Sequence, residues 1–415
     1  MGAPAPAQVR RLLRQRSFRT VWFGEMLALL GDFSFTVVFV WLVFAETGSA
    51  GALAAIMMTQ AVPRGVLLLL GGAVTDRWSP RTVMFCSHLT RGAAVGLLGL
   101  LALADSVQVW HLYALGLVAG VAEAFYWPSS SSILPSLVPA ASLDRANAMM
   151  GFSEQIGRLL GPALGGVLIV AAGAAPAVAL TSATFFAAAL SVLAAPRRPP
   201  PGHGAEPVRA VVREIVDGLG YARRSREIRT VLLLIGAATL SYSGLFAVGL
   251  PALAQSLPGG ALGLSLLLSA WGLGQLVGTV SAVFTGLPRR WGLLIICMTL
   301  VEGAAFAFLG FLPHVWLAAA LLAVLGVGVA YSTDVALPTF VQTRTPPEVL
   351  GRISSVLSLP RVVLEPVSLG LMGLLVTGDV RWGFVMAAVP MVLVGLRLAF
   401  DRRARSLTTA VPEAA

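Results

Sequence analysis

Again and again along this chain, about 20 consecutive residues pass with hardly a charge, the length of helix that crosses a hydrocarbon layer about 30 Å thick. About twelve such windows occur, near residues 20–45, 51–75, 81–104, 110–134, 145–172, 175–195, 229–254, 261–286, 291–312, 315–340, 350–377 and 381–400. Inside lipid no water satisfies backbone N–H and C=O groups, so each window must be a helix. Composition agrees. Of the 415 residues, 57% are hydrophobic and 12% charged, where soluble domains carry about 25% charged residues. The expected fold is an all-α integral membrane protein.

Arginines orient these helices. Arg10, Arg11, Arg14, Arg16 and Arg19 precede the first window. Alternate loops then carry Arg77 and Arg81, Arg145, an arginine-rich stretch after residue 195, Arg289 with Arg290, and Arg344. The opposite loops, "ETGSA", "ADSVQ", "AGAAP", "QSLPGGA" and "LPHV", carry none, and Arg381 breaks the pattern. By the positive-inside rule both termini are expected in the cytoplasm, with an even number of spans. The net charge of +10 is then a topology signal with some attraction for anionic lipid. Spread over short separate loops, it offers no basic face to nucleic acid. The first window contains Glu25 and Asp32 and is too long for a signal-peptide core, so it is read as a retained helix. Cys86 and Cys297 both fall inside windows and imply no disulfide framework.

The chain also repeats itself. The Pro-rich segment "APRRPPPGHGAEPVRAVVREIVDGLGYARRSREIRT", Ala195 to Thr230, divides the windows six and six. Three parts are expected: an N-terminal six-helix bundle (1–195), a cytoplasmic linker with an amphipathic helix (196–228), and a C-terminal six-helix bundle with a cytoplasmic tail (229–415). Across the linker, "FCSHLTRGAAVGLLGLL" from Phe85 aligns with "ICMTLVEGAAFAFLGFL" from Ile296, and "PAASLDR" ending at Arg145 aligns with "PPEVLGR" ending at Arg352. The offsets, about 211 and 207 residues, agree with a duplicated unit in parallel orientation, so the two bundles should be pseudo-symmetric.

Two segments break the apolar pattern with a purpose. "GGAVTDRWSPR" places Gly72, Asp76, Arg77 and Arg81 between the second and third helices. Gly72 lets helices approach closely, and Asp76 can meet a helix N-terminus or an arginine and latch the cytoplasmic side; an ordinary positively charged loop is the alternative. "GRLLGPALGG" puts Gly157, Gly161 and Gly165 at i, i+4 and i+8 on one face of the fifth helix, with Pro162 and Gly166 beside them. Such a face allows close packing, and a proline permits a bend. A static packing seam would use the same pattern.

Both segments resemble motifs of the major facilitator superfamily, the first its loop between helices two and three, the second its fifth-helix antiporter motif. Pro80 stands where a second basic residue is usual, and Ala148 replaces the earliest glycine of the antiporter motif. Further segments, among them "RQRSFRTVWFGEMLALLGD", "LLLSAWGLGQLVGT" and "TFVQTRTPPEVLGRISSV", extend the likeness over nearly the whole chain, toward the drug:proton antiporter branch with macrolide efflux and enterobactin export proteins. The fourth helix, "HLYALGLVAGVAEAF", lacks the arginine motif of some proton-coupled exporters. The resemblance implies two bundles that alternate access by rocking. It also implies a central cavity lined by helices 1, 4, 5, 7, 10 and 11.

Charged residues within the windows are the candidates for function, since each costs at least about 2.5–3.5 kcal/mol at mid-helix. The acids are Glu25, Asp32, Glu123, Glu154, Glu302, Asp334 and Glu365; the bases are Arg64, Arg91, Arg158 and Arg361. Seven acids against four bases leave an excess that pairing alone cannot neutralise, and desolvation favours protonation of carboxyls. Asp32, Arg64, Glu123, Arg158 and Glu365 fall near mid-membrane by helical rise. Glu154 with Arg158, and Arg361 with Glu365, are i,i+4 pairs. The candidate proton-coupling and substrate-cavity set is therefore Asp32, Glu123, Arg64, Arg158, Glu154, Arg361, Glu365, Glu25 and Asp334. Asp32 is the foremost coupler, with Arg64 or Arg158 as its expected alternating partner.

Other chemistry is sparse. His88, His111, His203 and His314 show no metal-ligand spacing, and the chain has no lysine and so no phosphate-binding Gly-Lys loop. No cofactor or metal is expected. Trp22, Trp110, Trp291, Trp316 and Trp382 at window ends suit interfacial anchors. Tyr242, Phe246 and Trp271 either line a cavity or simply pack. "SSSS" at Ser129 to Ser132 has no adjacent base, which disfavours an enzyme. The expected function is proton-coupled export of a hydrophobic or amphipathic compound by a monomer in the cell membrane, in contact with lipid. A lysophospholipid or siderophore transporter is the alternative.

Overall fold

The computed structural model describes residue 10 and residues 12–197, 219–220, 224–286, 291–344 and 347–405. Among them twelve helices are long and apolar enough to cross a membrane, and the chain is a multi-pass membrane protein. They are α1 (Arg16–Thr47), α2 (Ala50–Trp78), α3 (Pro80–Leu103), α4 (Val109–Leu137), α5 (Leu143–Ala172) and α6 (Ala174–Val192). After the linker come α7 (Arg226–Gly244), α8 (Gly260–Thr285), α9 (Trp291–Leu309), α10 (Val315–Val329), α11 (Pro347–Val376) and α12 (Val380–Phe400). Residues 198–218 and 221–223, where the amphipathic linker helix is expected, lie outside the described residues.

Local chemistry sets the breaks. Gly48, with φ of 61°, ends α1 in the left-handed conformation that glycine adopts without strain, and its N–H reaches the Phe44 carbonyl. Ser79 caps α3 by accepting the Thr82 N–H, and Pro80 occupies the first helical turn. That start explains why a proline replaces the usual basic residue of the loop motif.

Two helices depart from simple α-geometry. α7 runs through a π-helical turn, Leu245–Gly249, into Leu250–Ser256, and α10 through Ala330–Ala336 into Leu337–Arg344. The Leu250 N–H reaches back five residues to the Leu245 carbonyl, and Leu337 N–H likewise reaches Ser332. Each wide turn stops just before a proline, Pro251 or Pro338. A proline ring collides with the carbonyl four residues earlier in an α-helix, and the wider turn relieves that collision.

Contacts divide the chain into two compact units, Met1–Gly48 with Thr59–Arg209, and Ser49–Met58 with Ala210–Ala415. In the first, α1 packs on α5 and α6, and α3 on α6 and α4. In the second, α7 packs on α11 and α12, and α9 on α12. The pairings of α1 with α5 and α6, and of α3 with α6, thus recur six helices later. Each unit hides large side chains inside, Phe18 and Phe185 in one, Phe306 and Phe384 in the other. Each also turns apolar groups outward: Leu190 of the first is 66% exposed and Phe284 of the second 84%, as lipid permits and water does not. Trp110, Trp316 and Trp382 are exposed at helix ends, where indole rings meet both the membrane interface and apolar chains.

The glycine face of α5 lies against α1. A methyl group at Gly161 would overlap the Phe33 side chain, and one at Gly165 the Ser34 carbonyl oxygen. At Gly151, on the same helix, a methyl would meet nothing within 4 Å. Backbone cannot step aside as a rotamer can, so Gly165→Ala is expected to cost about 1–3 kcal/mol and to lower the melting temperature of the purified protein, while Gly151→Ala leaves it unchanged. Equal melting of the two variants would show that the α1–α5 approach does not depend on this glycine.

Candidate functional site

Four helices of the N-terminal unit each place two polar side chains one or two turns apart: Glu25 and Asp32 on α1, Gln60 and Arg64 on α2, His88 and Arg91 on α3, Glu123 and Tyr126 on α4. Such spacing keeps both members of a pair on one side of a helix. The result is a polar core in two layers, a place where each charge has a partner instead of lipid.

The first layer centres on Arg91, which is 6% exposed. Its guanidinium pairs with the Asp32 carboxylate through one Nη and lies 3.6 Å from Glu123 Oε1. Its charge also stacks on Phe185 of α6, 4.3 Å from the ring centre. Glu123 is held in turn by Arg64 at 2.9 Å and by the Gln60 amide, which donates at 3.0 Å. Asp32 keeps 39% of its side chain exposed, whereas Glu123 keeps 11%. Asp32 is the accessible end of this chain of charges.

The second layer lies nearer the start of α1. Glu25 is fully buried; its Oε1 is 2.7 Å from His88 Nε2, and its Oε2 accepts the Tyr126 hydroxyl at 2.6 Å. Glu25 and Asp32 are separated by about 10.5 Å of helix rise, His88 and Arg91 by only about 4.5 Å. The long arginine side chain makes up the difference, so one face of α3 serves both acids.

Asp32 therefore meets neither expected partner. Arg64 engages Glu123, and Arg158 engages Glu154 at 2.6 Å within α5, with its guanidinium 5.3 Å from the Phe33 ring. The sequence counts Arg91 among the membrane bases without placing it in the site, and gives His88 no metal-ligand spacing. The overlooked signal is the paired spacing: an acid pair on α1 and a His-Arg pair on α3, each on one helix face.

In the C-terminal unit the buried Glu302 accepts the Tyr242 hydroxyl at 2.8 Å. Tyr242 stacks on Phe246 at 5.6 Å between centroids, and Trp271 and Phe306 close around them. These aromatic rings pack on one another. Glu365 is half-buried on α11, one turn beyond the exposed Arg361. The Asp334 side chain lies outside the described ones, in the π-helical turn of α10. Set on the repeat offsets, Arg91 corresponds to Glu302, Glu154 to Arg361 and Arg158 to Glu365. Every one of these positions carries the opposite charge in the other copy.

Of the loop motif, the surroundings of Gly72 and the side chain of Asp76 lie outside those described, and Arg77 is exposed. Arg81 donates to the Leu193 carbonyl at 2.7 Å and to Val192 at 3.4 Å. It thus places a cation at the C-terminal end of α6, where carbonyls lack partners. Gly157, Gly161, Pro162, Gly165 and Gly166 are all buried on α5.

Comparison with known proteins agrees with this architecture. The chain matches the transmembrane secretion effector family over residues 10–400. It is 28% identical over 405 residues to the multidrug efflux pump Tap of Mycolicibacterium fortuitum, spanning 94% of this chain and 97% of Tap. To the enterobactin exporter EntS of Shigella boydii it is 28% identical over 308 residues, spanning 74% of this chain and 72% of EntS. Among solved structures, a POT family transporter in complex with 5-aminolevulinic acid superposes with a TM-score of 0.72 at 12% identity, over 94% of this chain and 97% of that one. The nucleoside transporter NupG gives 0.71 at 13%, over 92% and 98%. At these identities the structural likeness is one of fold.

Removing one partner of a buried ion pair strands the other. Arg91→Leu should therefore destabilise the protein by about 3 kcal/mol, and adding Asp32→Leu should recover part of the loss. Thermal unfolding of the purified variants measures both. An Arg91→Leu protein as stable as wild type would mean that Arg91 does not hold the layer together.

Proposed function

We propose, for a chain that belongs to the transmembrane secretion effector family of the major facilitator superfamily, that it exports hydrophobic or amphipathic organic compounds by proton-coupled alternating access. Members of this superfamily are membrane transporters, not enzymes, and so is this chain. The observation that carries the coupled reading is the Asp32–Arg91–Glu123–Arg64 chain of charges in the N-terminal unit. A half-exposed carboxylate tied to a buried guanidinium has two stable states, ionised and paired, or protonated and released. Which state is favoured depends on how close the cation stays, and a conformational cycle that moves helices alters that distance. Energy from a proton gradient can enter by this route.

The cargo class rests on likeness to the efflux pump Tap, matched nearly end to end. A siderophore is the second reading, because the exporter EntS is matched equally well in identity over three quarters of this chain. The arginine-rich loops support cytoplasmic termini, and the basic edge they form favours contact with anionic lipid. The α1–α5 glycine seam supports a packed face that slides without side chains interlocking. Glu154, Arg158, Arg361, Glu365 and Asp334 are assigned to the transport path, Gly72, Asp76, Arg77 and Arg81 to the cytoplasmic latch, and the working form is a monomer.

In proteoliposomes with an imposed pH gradient, Asp32→Asn is expected to abolish uphill accumulation of a fluorescent amphipath that the wild type concentrates, while downhill exchange of the same dye continues. If the variant still concentrates the dye, Asp32 is not the coupling acid.

A further inference from the structure

Glu25 stands among the candidate acids of the sequence, but His88 and Tyr126 do not, and the Asp32–Arg91–Glu123–Arg64 chain of charges uses none of the three. His88 and Glu25 have no exposed side-chain surface. Glu25 is fully used: His88 Nε2 approaches one oxygen and the Tyr126 hydroxyl donates to the other. His88 is not. Its Nδ1 is buried with no hydrogen-bond partner among the described residues, while the ring packs edge-on to Tyr126 at 5.1 Å and against Phe185 at 6.4 Å. A bare ring nitrogen in an apolar pocket is tolerable; a buried N–H there would lack an acceptor. The arrangement therefore corresponds to neutral histidine with its proton on Nε2, donated to the Glu25 carboxylate.

Charge counting argues that this state is one proton short. The charged groups around His88 are Glu25 and Asp32 on α1, Arg64 on α2, Arg91 on α3, and Glu123 beside Tyr126 on α4; α6 presents Phe185 and has no titratable residue between 174 and 192. On α5, Glu154 and Arg158 neutralise one another. Among the described residues three carboxylates thus face two guanidiniums, and one added proton would balance the group. Arg91 pairs with Asp32 and lies 3.6 Å from Glu123, whereas the Glu25 oxygens face His88 and Tyr126, which leaves the Glu25–His88 pair to accept it.

We propose that Glu25, His88 and Tyr126 form a proton-binding site distinct from Asp32, with His88 Nδ1 as the atom that receives the proton. The step forms one N–H bond at Nδ1 from a hydronium ion, leaving water. The Nε2 proton then stays on the ring or passes along the 2.7 Å hydrogen bond to Glu25 Oε1, and Tyr126 keeps the second carboxylate oxygen in place. Because Nδ1–H finds no acceptor in this conformation, the bound proton favours a conformation that supplies one. This inference rests on the proton-coupled reading only for its place in a transport cycle, not for the binding itself.

The test is nitrogen NMR of the full-length protein in lipid bilayers, with 15N-labelled histidine. The chain has four histidines, and the His88 signal is assigned by its loss in His88→Gln or, should that variant not fold, as the signal that remains when His111, His203 and His314 are replaced by glutamine. As pH falls from 9 to 5, His88 should pass from the neutral Nε2–H form to the doubly protonated ring, and in Glu25→Gln the doubly protonated signal should vanish at the pH where wild type shows it. A His88 that stays neutral over the whole range, or that titrates identically in Glu25→Gln, overturns the proposal. Failure of the wild type to concentrate dye under a pH gradient would instead remove the coupled reading, and the NMR result would still decide the site.

Discussion

Arg91 is the charge on which the interior of the N-terminal unit depends. A guanidinium 6% exposed among membrane helices survives only if its surroundings replace water on every side. Here Asp32, Glu123 and the face of Phe185 do so, from three different helices. That requirement fixes more than the arginine. It sets the rotation of α1 and α4 about their own axes, because each must aim an acid inward. It also draws Arg64 and Gln60 toward Glu123, whose remaining acceptor positions need donors. The same rotation of α1 that aims Asp32 also aims Glu25, two turns earlier, at His88 and Tyr126.

Ion pairs of this sort specify an arrangement but supply little of the attraction between helices, since desolvation offsets much of the Coulomb gain. Close approach supplies the rest. In lipid the favourable terms are dispersion contacts and hydrogen bonds, which grow as backbones come nearer. Gly161 and Gly165 bring α5 onto α1, and in the other copy Gly244 brings α7 onto α11, where a methyl would overlap the Ser368 carbonyl oxygen. There the Gly244 N–H also donates to the Ser368 hydroxyl at 2.8 Å, and that hydroxyl donates to the Leu240 carbonyl at 2.7 Å. The small residues sit on α5 in one copy and on α7 in the other, so the seam is kept although the helix that supplies the glycine has changed.

The sequence made the helices and their number legible because lipid imposes one rule on every span: about 20 apolar residues with backbone bonds satisfied inside the helix. The glycine face of α5 was legible for a similar reason, since i, i+4, i+8 spacing defines a stripe whatever lies opposite. The partner of Asp32 was not. Depth along a helix can be counted from sequence, but rotation about the axis and the identity of the facing helix are set by packing, so Arg64 and Arg158 at similar depth looked as suitable as Arg91. His88 was missed because an isolated histidine has no spacing partner on its own helix except an arginine. The π-helical turns were missed because a proline within a span signals a bend without saying whether the helix kinks or widens. Pro251 and Pro338 widen it.

The duplication makes the division between fold and chemistry visible. At matched positions the first copy has Arg91, Glu154 and Arg158, the second Glu302, Arg361 and Glu365. The pairings of α1 with α5 and α6 nevertheless recur in α7 with α11 and α12. Small residues and apolar packing bring the helices together in both copies, while the charges set how the facing helices are turned within each copy. Glu302 does so with a phenol, Tyr242, inside a ring of aromatic side chains, where Arg91 does so with two carboxylates. One architecture thereby holds an arginine network in its first copy and a carboxyl-phenol pair in its second.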